Sequence, residues 1–263
     1  MKKNLGLALS GGGSKGLIHV GALQFFEENK IEFNTLSGTS AGSIVAGLYA
    51  CRKKPHEILS FFENTQMFSP KHLGLSMKGF INTPTLRDEF ENTIGNPKIE
   101  DLDKILKIVA SNMLDGTIKV FDKGNLIDAI LASSAYPGIF TPMKIEKIIY
   151  CDGGMVNNFP IDLITNETDA SVGINLSSFE KKKYKDLNNV FDLLTRSFDI
   201  MSNIKVNTKK DMADVYLTPS KGHNLGTFDT NPKVLANIFE IGYEYTQSYF
   251  KKNPDKLSFL KNA

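Results

Sequence analysis

Short apolar runs alternate with stretches of helical periodicity along this chain. Continuous apolar runs bounded by glycine, proline or polar residues predict buried strands, and these are Asn4–Leu9, Phe33–Ser37, Ile105–Ala110, Thr117–Phe121, Lys147–Tyr150 and Ala170–Leu176. Apolar residues at every third or fourth position predict helices, and these are Leu17–Asn29, Ile44–Ala50, about Asn188–Lys209 and about Pro232–Lys251. Alternating strands and helices predict an α/β fold with a mostly parallel sheet covered on both faces.

Composition narrows the class of protein. The chain has 263 residues, 41% of them hydrophobic, which is enough to bury a substantial core. Its formal net charge of +2 predicts no nucleic-acid partner. Cys51 and Cys151 form no Cys/His cluster, which argues against a disulfide framework or zinc site and predicts a reducing, cytoplasmic location. The apolar run after Lys3 is too short for a secretory leader, and no longer run predicts a membrane span.

The pentapeptide Gly38-Thr39-Ser40-Ala41-Gly42 is a G-x-S-x-G sequence between a predicted strand and a predicted helix. Such a turn strains the serine backbone and projects the hydroxyl clear of the sheet. The residues two before and two after the serine come close together, and Gly38 and Gly42 are small enough for that. Ser40 is therefore the candidate nucleophile, although a glycine-rich turn without any chemistry has the same letters.

The first predicted strand is followed by a second glycine-rich segment, Gly11-Gly12-Gly13-Ser14-Lys15-Gly16. Glycines let backbone N–H groups turn inwards, and each such group can stabilise the oxyanion of acyl transfer by about 3 kcal/mol. The same letters form a G-x-G-x-x-G dinucleotide fingerprint. That alternative needs an acidic residue closing the second strand, whereas Glu32 lies before Phe33–Ser37. An oxyanion loop is the preferred interpretation.

Asp152-Gly153-Gly154 follows a short apolar strand, where an aspartate could face a nucleophile without obstruction. A β-turn aspartate before two glycines is the alternative. Serine hydrolases usually use a histidine base, and the chain has His19, His56, His72 and His223. The order Ser40, Asp152, His223 matches an α/β-hydrolase triad, but Ser40 comes too early in the chain for that fold. We therefore expect Asp152 itself to accept the Ser40 proton, since a dry site raises carboxylate basicity.

Four blocks in this order resemble the patatin-like phospholipases, and more closely their compact bacterial members. The blocks are Gly11–Gly21, Gly38–Gly42, Ala132–Pro142 and Asp152–Gly154 running on to Asn157, Asn158 and Pro160. The resemblance covers roughly residues 4–176 and is weak beyond them. Residues 1–263 are accordingly expected to form one domain of this type, with a C-terminal helical part at 186–252.

The resemblance implies a three-layer α/β/α sandwich and a Ser40/Asp152 dyad that uses no metal and no cofactor. It places the oxyanion loop at Gly11–Gly16, where Lys15 replaces the family's frequent arginine, and it makes His19 a companion of that loop. The implied substrate is a lipid or phospholipid acyl ester. An acyltransferase that uses the same Ser40 ester and a non-catalytic lipid-binding or regulatory module remain alternatives.

Three further segments bear on substrate access. Residues 66–83 combine apolar side chains with glycines and suit a mobile lid, although a surface loop packed on the core explains them equally. Lys181–Lys185 would touch anionic headgroups in transient contact with a membrane surface, or would be an ordinary solvated loop. The aromatic residues between Phe239 and Phe250 are expected to pack the C-terminal helix onto the core.

Overall fold

The computed structural model describes residues 4–65, 73–76, 79–81, 83–177, 181–204, 206, 208–219 and 229–262. The strands are β1 (Leu5–Leu9), β2 (Thr35–Thr39), β3 (Leu73–Ser76), β4 (Gly79–Ile81), β5 (Ile105–Asn112), β6 (Ile118–Phe121), β7 (Met143–Ile145), β8 (Ile148–Asp152), β9 (Ala170–Ile174) and β10 (Val215–Leu217). The helices are α1 (Leu17–Glu28), α2 (Ala41–Ala50), α3 (Pro55–Thr65), α4 (Thr83–Ile94), α5 (Leu126–Ser133), α6 (Gly154–Asn157), α7 (Val190–Ile204), α8 (Pro232–Lys252) and α9 (Pro254–Lys261).

A mixed, mostly parallel sheet forms the centre of the fold. Its strand order is β10-β9-β1-β2-β5-β8-β7, with β6 paired to β5. The strands from β10 to β5 run parallel to one another, whereas β6, β7 and β8 pair antiparallel. Helices cover the sheet, so the predicted α/β/α class is confirmed. The switch of direction after β5 brings the end of β8 beside the end of β2.

The central strands are buried along their whole length, which explains their unbroken apolar sequences. Every residue of β1, β2 and β9 is buried, as is usual for parallel strands with helices on both faces. On one face, α1 packs closely against α8. A Cβ atom on Gly21 would lie 2.1 Å from the carbonyl oxygen of Phe239, and one on Gly242 would lie 2.2 Å from that of Ile18. Glycine at both positions therefore lets the two helix backbones touch.

Several elements differ from the sequence prediction. The second strand is Thr35–Thr39, two residues later than predicted, so that it runs directly into Ser40. The predicted helix Asn188–Lys209 is shorter and spans Val190–Ile204. The buried helix α5 and the short strand β10 have no counterpart in the prediction. The aromatic residues of α8 pack against the core as predicted.

The predicted lid lies largely outside the described residues. Of residues 66–83, the backbone of β3 and β4 is described, and these strands form an antiparallel pair. His72 and His223 also fall outside the described ranges. Within those ranges, no helix has both the length and the apolar character that crossing a bilayer requires.

Candidate active site

Ser40 occupies the sharp turn between β2 and α2, and the segment Gly38–Gly42 around it is here called the elbow. Its backbone has φ 53° and ψ −125°, a left-handed conformation that side-chain-bearing residues seldom adopt. A Cβ on Gly38 would lie 2.6 Å from the carbonyl oxygen of Gly42, and one on Gly42 would lie 2.2 Å from that of Leu9. Both glycines are therefore needed to bring β1, β2 and α2 together at this turn.

Asp152 is the last residue of β8, and its backbone is bonded on both sides. Its N–H donates to the carbonyl oxygen of Ala135 at 2.9 Å, and its carbonyl oxygen accepts from the Ser111 hydroxyl at 2.8 Å. On its side chain, Oδ1 accepts the Gly154 N–H at 2.8 Å. These contacts leave Oδ2 to face the elbow.

The Ser40 hydroxyl donates to Asp152 Oδ2 at 2.6 Å, a short charge-assisted hydrogen bond. The Asp152 side chain is buried, and Ser40 is half-buried. Burial raises the pKa of Asp152 to about 7, against the opposing effect of the hydrogen bonds from Ser40 and Gly154. The carboxyl therefore changes its protonation state near neutral pH while it touches a serine hydroxyl.

The glycine loop lies against this pair. The Gly11 N–H donates to the carbonyl oxygen of Asn158 at 3.2 Å, and a Cβ on Gly11 would lie 3.1 Å from the Ser40 Cβ. Among the residues that the structure describes, the N–H groups of Gly12 and Gly13 have no acceptor. Gly13 has φ 61°, a backbone conformation that favours glycine. The loop thus has two open N–H donors directly after Gly11, the residue that contacts Ser40 and whose own N–H is engaged by Asn158.

The rest of the loop forms a short 3-10 turn, Gly13–Gly16, that leads into α1. A Cβ on Gly16 would lie 2.8 Å from the Cβ of Ala41, so the turn rests against the first residue of α2. Ser14 is buried, and Lys15 is half-buried at the surface of the loop. The sequence-predicted loop and elbow are therefore in contact.

Ser133 and Asn158 hold these segments together, yet the sequence analysis gave neither of them a role. The buried Ser133 hydroxyl accepts the Ser40 N–H at 2.9 Å. The Asn158 side-chain amide donates to the Ser177 hydroxyl at 2.6 Å, while its backbone carbonyl holds Gly11. Ser133 and Asn158 lie inside the family-like sequence blocks at 132–142 and 152–160, and their place in these blocks was the signal from which a role could have been predicted.

The two described histidines lie away from the serine hydroxyl. His19 is fully buried on α1, and its Nε2 lies 2.8 Å from the carbonyl oxygen of Ser10. Because that oxygen can only accept, Nε2 carries the proton. Burial lowers the pKa of His19 to about 4, so the ring is neutral at pH 7. His56 is exposed on α3.

Comparison with known proteins supports a single family. An uncharacterised NTE family protein of Mycobacterium bovis is 27% identical over 68% of this chain and 51% of its own length. A protein named lysophospholipase NTE1, from Lodderomyces elongisporus, is 24% identical over 98% of this chain and 20% of its own length. The chain thus spans about half the length of the first of these relatives, and less of the second.

A solved structure and a family model agree with these relatives. VipD from Legionella pneumophila matches 96% of this chain and 67% of its own chain, with a TM-score of 0.57 at 16% sequence identity, a likeness of fold. The sequence model described as patatin-like phospholipase matches residues 7–164, which include Ser40 and Asp152. The chain therefore belongs to the patatin-like phospholipase family.

Proposed function

We propose that this protein hydrolyses acyl esters of lipids, with Ser40 as nucleophile and Asp152 as its proton acceptor. The observation that carries the proposal is the 2.6 Å hydrogen bond from the Ser40 hydroxyl to Asp152 Oδ2. A nucleophile needs a base within hydrogen-bond reach. No other described titratable side chain makes a hydrogen bond to the Ser40 hydroxyl.

In the acylation step, Ser40 Oγ attacks the carbonyl carbon of the ester while its proton passes to Asp152 Oδ2. The carbonyl π electrons move onto the oxygen, and a tetrahedral oxyanion forms. When this intermediate collapses, the bond to the leaving alcohol breaks and the alkoxide takes the proton from Asp152. A carboxyl with a pKa of about 7 suits both transfers at neutral pH, because it accepts and returns the proton with similar ease.

The N–H groups of Gly12 and Gly13 are the proposed donors to the oxyanion, since neither has an acceptor among the described residues. Each such donor is worth about 3 kcal/mol in the transition state. Gly11 is assigned a different role. Its N–H donates to Asn158, which fixes the start of the loop beside Ser40.

Deacylation repeats the same steps with water. Asp152 accepts a proton as water attacks the Ser40 ester, and it returns that proton to Ser40 Oγ when the fatty acid leaves. The family description and the lysophospholipase name of the Lodderomyces elongisporus relative support phospholipids or lysophospholipids as the substrate class.

Labelling with a fluorophosphonate, followed by peptide mass spectrometry, tests the nucleophile and its base. Wild type should label at Ser40, and Ser40→Ala should not label. Asp152→Asn should slow labelling by about 10²–10⁴-fold, whereas Asp103→Asn, which alters an exposed aspartate, should label normally.

Two further results would contradict parts of the proposal. Loss of labelling in His223→Ala would replace the dyad by a histidine triad. Fatty-acid release from lysophosphatidylcholine tests the substrate class, and a wild type that labels at Ser40 but releases no fatty acid from lipids would restrict the assignment to a serine esterase of other substrates.

A further inference from the structure

Helix α7 has its apolar face turned towards solvent. Its residues Val190, Leu193, Leu194, Ile200, Met201 and Ile204 are between 40% and 72% exposed. They lie three, four or seven positions apart and so share one face of the helix, which the exposed Ser197 interrupts; this face is here called the apolar stripe. Single exposed apolar residues are ordinary, whereas a contiguous apolar surface marks an interaction site.

The opposite face of α7 points inwards, and its described side chains are polar apart from Phe198. Asp192, Thr195 and Asp199 are half-buried, and Ser202 is buried. Burial raises the pKa of Asp199, and the nearby charge of Lys15 in the glycine loop opposes this rise. A surface helix of a globular protein normally buries its apolar side. Helix α7 is inverted in the sense that six of its seven described apolar side chains face solvent, and only Phe198 packs against the core.

This helix lies directly beside the candidate active site. The Phe198 ring packs on the Tyr136 ring with centroids 4.3 Å apart, and a Cβ on Gly154 would lie 2.9 Å from Phe198 Cζ. Gly154 is the residue whose N–H holds the Asp152 carboxyl. The inverted helix therefore contacts the segment that positions the proposed base.

A cavity of about 560 Å³ adjoins the C-terminal part of the apolar stripe. Its walls include Ile200 and Ile204 of the stripe, and also Ser177. The Ser177 hydroxyl accepts the Asn158 amide at 2.6 Å, and Asn158 in turn holds Gly11. Two residues, Ser177 and Asn158, thus link the wall of this cavity to Gly11 of the glycine loop.

Positive charge gathers in the segment that precedes α7 in the sequence. Lys181, Lys182 and Lys183 are exposed, and Tyr184 beside them is 97% exposed. Residues 181–204 contain five lysine or arginine residues and three aspartates, so their net charge of +2 equals that of the entire chain. Lysine near an anionic bilayer contributes about 1 kcal/mol per residue, and tyrosine favours the interface.

We propose that the apolar stripe and the lysines at 181–183 dock this protein on the surface of an anionic lipid bilayer, with the active site facing the membrane. The inference rests on the proposed lipid substrate, which such a bilayer contains. The charged, aromatic and apolar residues follow the pattern of helices that lie in a membrane interface. A second copy fits less well, because one 15-residue helix presents roughly 22 Å by 10 Å, well below the about 800 Å² per partner of a standard interface.

Vesicle flotation of the full chain tests the docking surface independently of catalysis. Wild type and Ser40→Ala should both float with phosphatidylcholine vesicles that contain phosphatidylglycerol, and should bind pure phosphatidylcholine about tenfold more weakly. Leu193→Ser with Leu194→Ser should weaken binding to the mixed vesicles at least tenfold, roughly as expected for removing two leucines from the interface. Leu114→Ser is the matched control, since Leu114 is 64% and Leu194 62% exposed, and it should bind within about twofold of wild type.

Circular dichroism and thermal unfolding establish that each variant is folded. The docking proposal is overturned if the double serine variant floats like wild type, or if folded wild type binds neither kind of vesicle. A concentration-dependent dimer that the double variant abolishes would assign the stripe to a second copy instead. Vesicle binding without lipid hydrolysis would refute the proposed function and leave the docking surface standing.

Discussion

The Ser133 hydroxyl accepts the backbone N–H of Ser40 at 2.9 Å, and the Ser133 carbonyl oxygen accepts the N–H of Gly153 at 3.3 Å. One buried residue at the end of α5 thus holds both the residue that carries the hydroxyl and the residue that follows Asp152. The two segments are 112 residues apart in sequence, and this residue helps to fix the distance between them.

We expect Ser133→Ala to leave the Ser40 N–H without its partner, at a cost of about 1–3 kcal/mol in the free energy of unfolding. Because the hydroxyl of Ser40 would lose its fixed position, kcat should fall about tenfold with little change in KM. Steady-state kinetics on a water-soluble ester and chemical denaturation measure the two effects. Ser134→Ala is the control, since its hydroxyl reaches the Ser40 carbonyl oxygen only at 3.4 Å, and equal effects of both variants would contradict the prediction.

The pKa of about 7 at Asp152 predicts the pH profile of hydrolysis. Only the ionised carboxyl can accept the serine proton, so kcat/KM should rise with pH and level off above about pH 7. Stopped assays with a short-chain ester between pH 5 and pH 9 measure this profile. A profile that levels off near pH 4 would mean that the pKa of the Asp152 carboxyl is not raised, and it would contradict the proposed role of this carboxyl as a base matched to neutral pH.

The same raised pKa predicts a stability cost at high pH. The folded carboxyl keeps its proton up to about pH 7, whereas an unfolded aspartate loses it near about pH 3.9, so this group destabilises the fold as pH rises between those values. Asp152→Asn should therefore unfold at higher denaturant concentration than wild type at pH 8, by on the order of 1–3 kcal/mol, while losing activity. Asp103→Asn, on the exposed surface, should change stability by less than about 1 kcal/mol.

His19 should act in the opposite direction. Burial lowers the pKa of His19 to about 4. Between about pH 6.5 and pH 4 the histidine is therefore protonated in the unfolded chain but neutral in the folded chain, so stability falls as pH drops through this range. The contributions of His19 and Asp152 oppose each other over this range, and wild type should show a shallow profile.

Denaturation between pH 4.5 and pH 7.5 separates the two groups. As pH falls, the free energy of unfolding of His19→Gln should rise relative to that of wild type, by on the order of 2–3 kcal/mol. That of Asp152→Asn should fall relative to wild type over the same range. His56→Gln, at an exposed position on α3, is the control and should follow wild type. Parallel profiles in wild type and His19→Gln would show that the buried ring does not titrate as described.

Gly42→Ala tests the closeness of the elbow to β1. The added Cβ would lie 2.2 Å from the Leu9 carbonyl oxygen, so the backbone must shift. We expect the free energy of unfolding to fall by at least about 3 kcal/mol and the labelling of Ser40 to be lost. Gly95→Ala is the matched glycine control. Gly95 has φ 69° and no neighbour within 4 Å of a Cβ, so only backbone strain of about 1 kcal/mol should appear. A stable, labelled Gly42→Ala protein would contradict the tight turn.

The sequence predicted the elements that carry their own local signal. The apolar runs predicted β1 and β9, and the G-x-S-x-G and Asp152-Gly153-Gly154 sequences predicted the segments that meet in the fold. Helix α5 was missed because its eight residues are nearly all apolar and buried, which leaves no periodicity to detect. Its N-cap, where Asn125 accepts the Asp128 N–H, was the one local indication of a helix there.

Other features depended on partners distant in sequence. The raised pKa of Asp152 comes from burial, which no local sequence reports. The engagement of the Gly11 N–H by Asn158 could not be seen from the loop, where all the glycines look equivalent. The inverted orientation of α7 was hidden for the same reason, since periodicity identifies an amphipathic helix but not the direction in which its apolar side points. The roles of Ser40, Asp152 and the glycine loop remain predictions, as does the single domain.

The glycine contact between α1 and α8 has a consequence for synthesis on the ribosome. Helix α1 begins at Leu17 and carries His19 under the glycine loop, but the partner that covers its outer side includes Gly242. The ribosome can therefore have synthesised every proposed catalytic residue while the side of α1 that packs on α8 stays uncovered for about another 90 residues. At ordinary elongation rates of 5–20 residues per second, this interval lasts several seconds. An ester-cleaving site of this construction would mature only after α8 has been synthesised, which delays its activity towards the lipids of the cell that makes it.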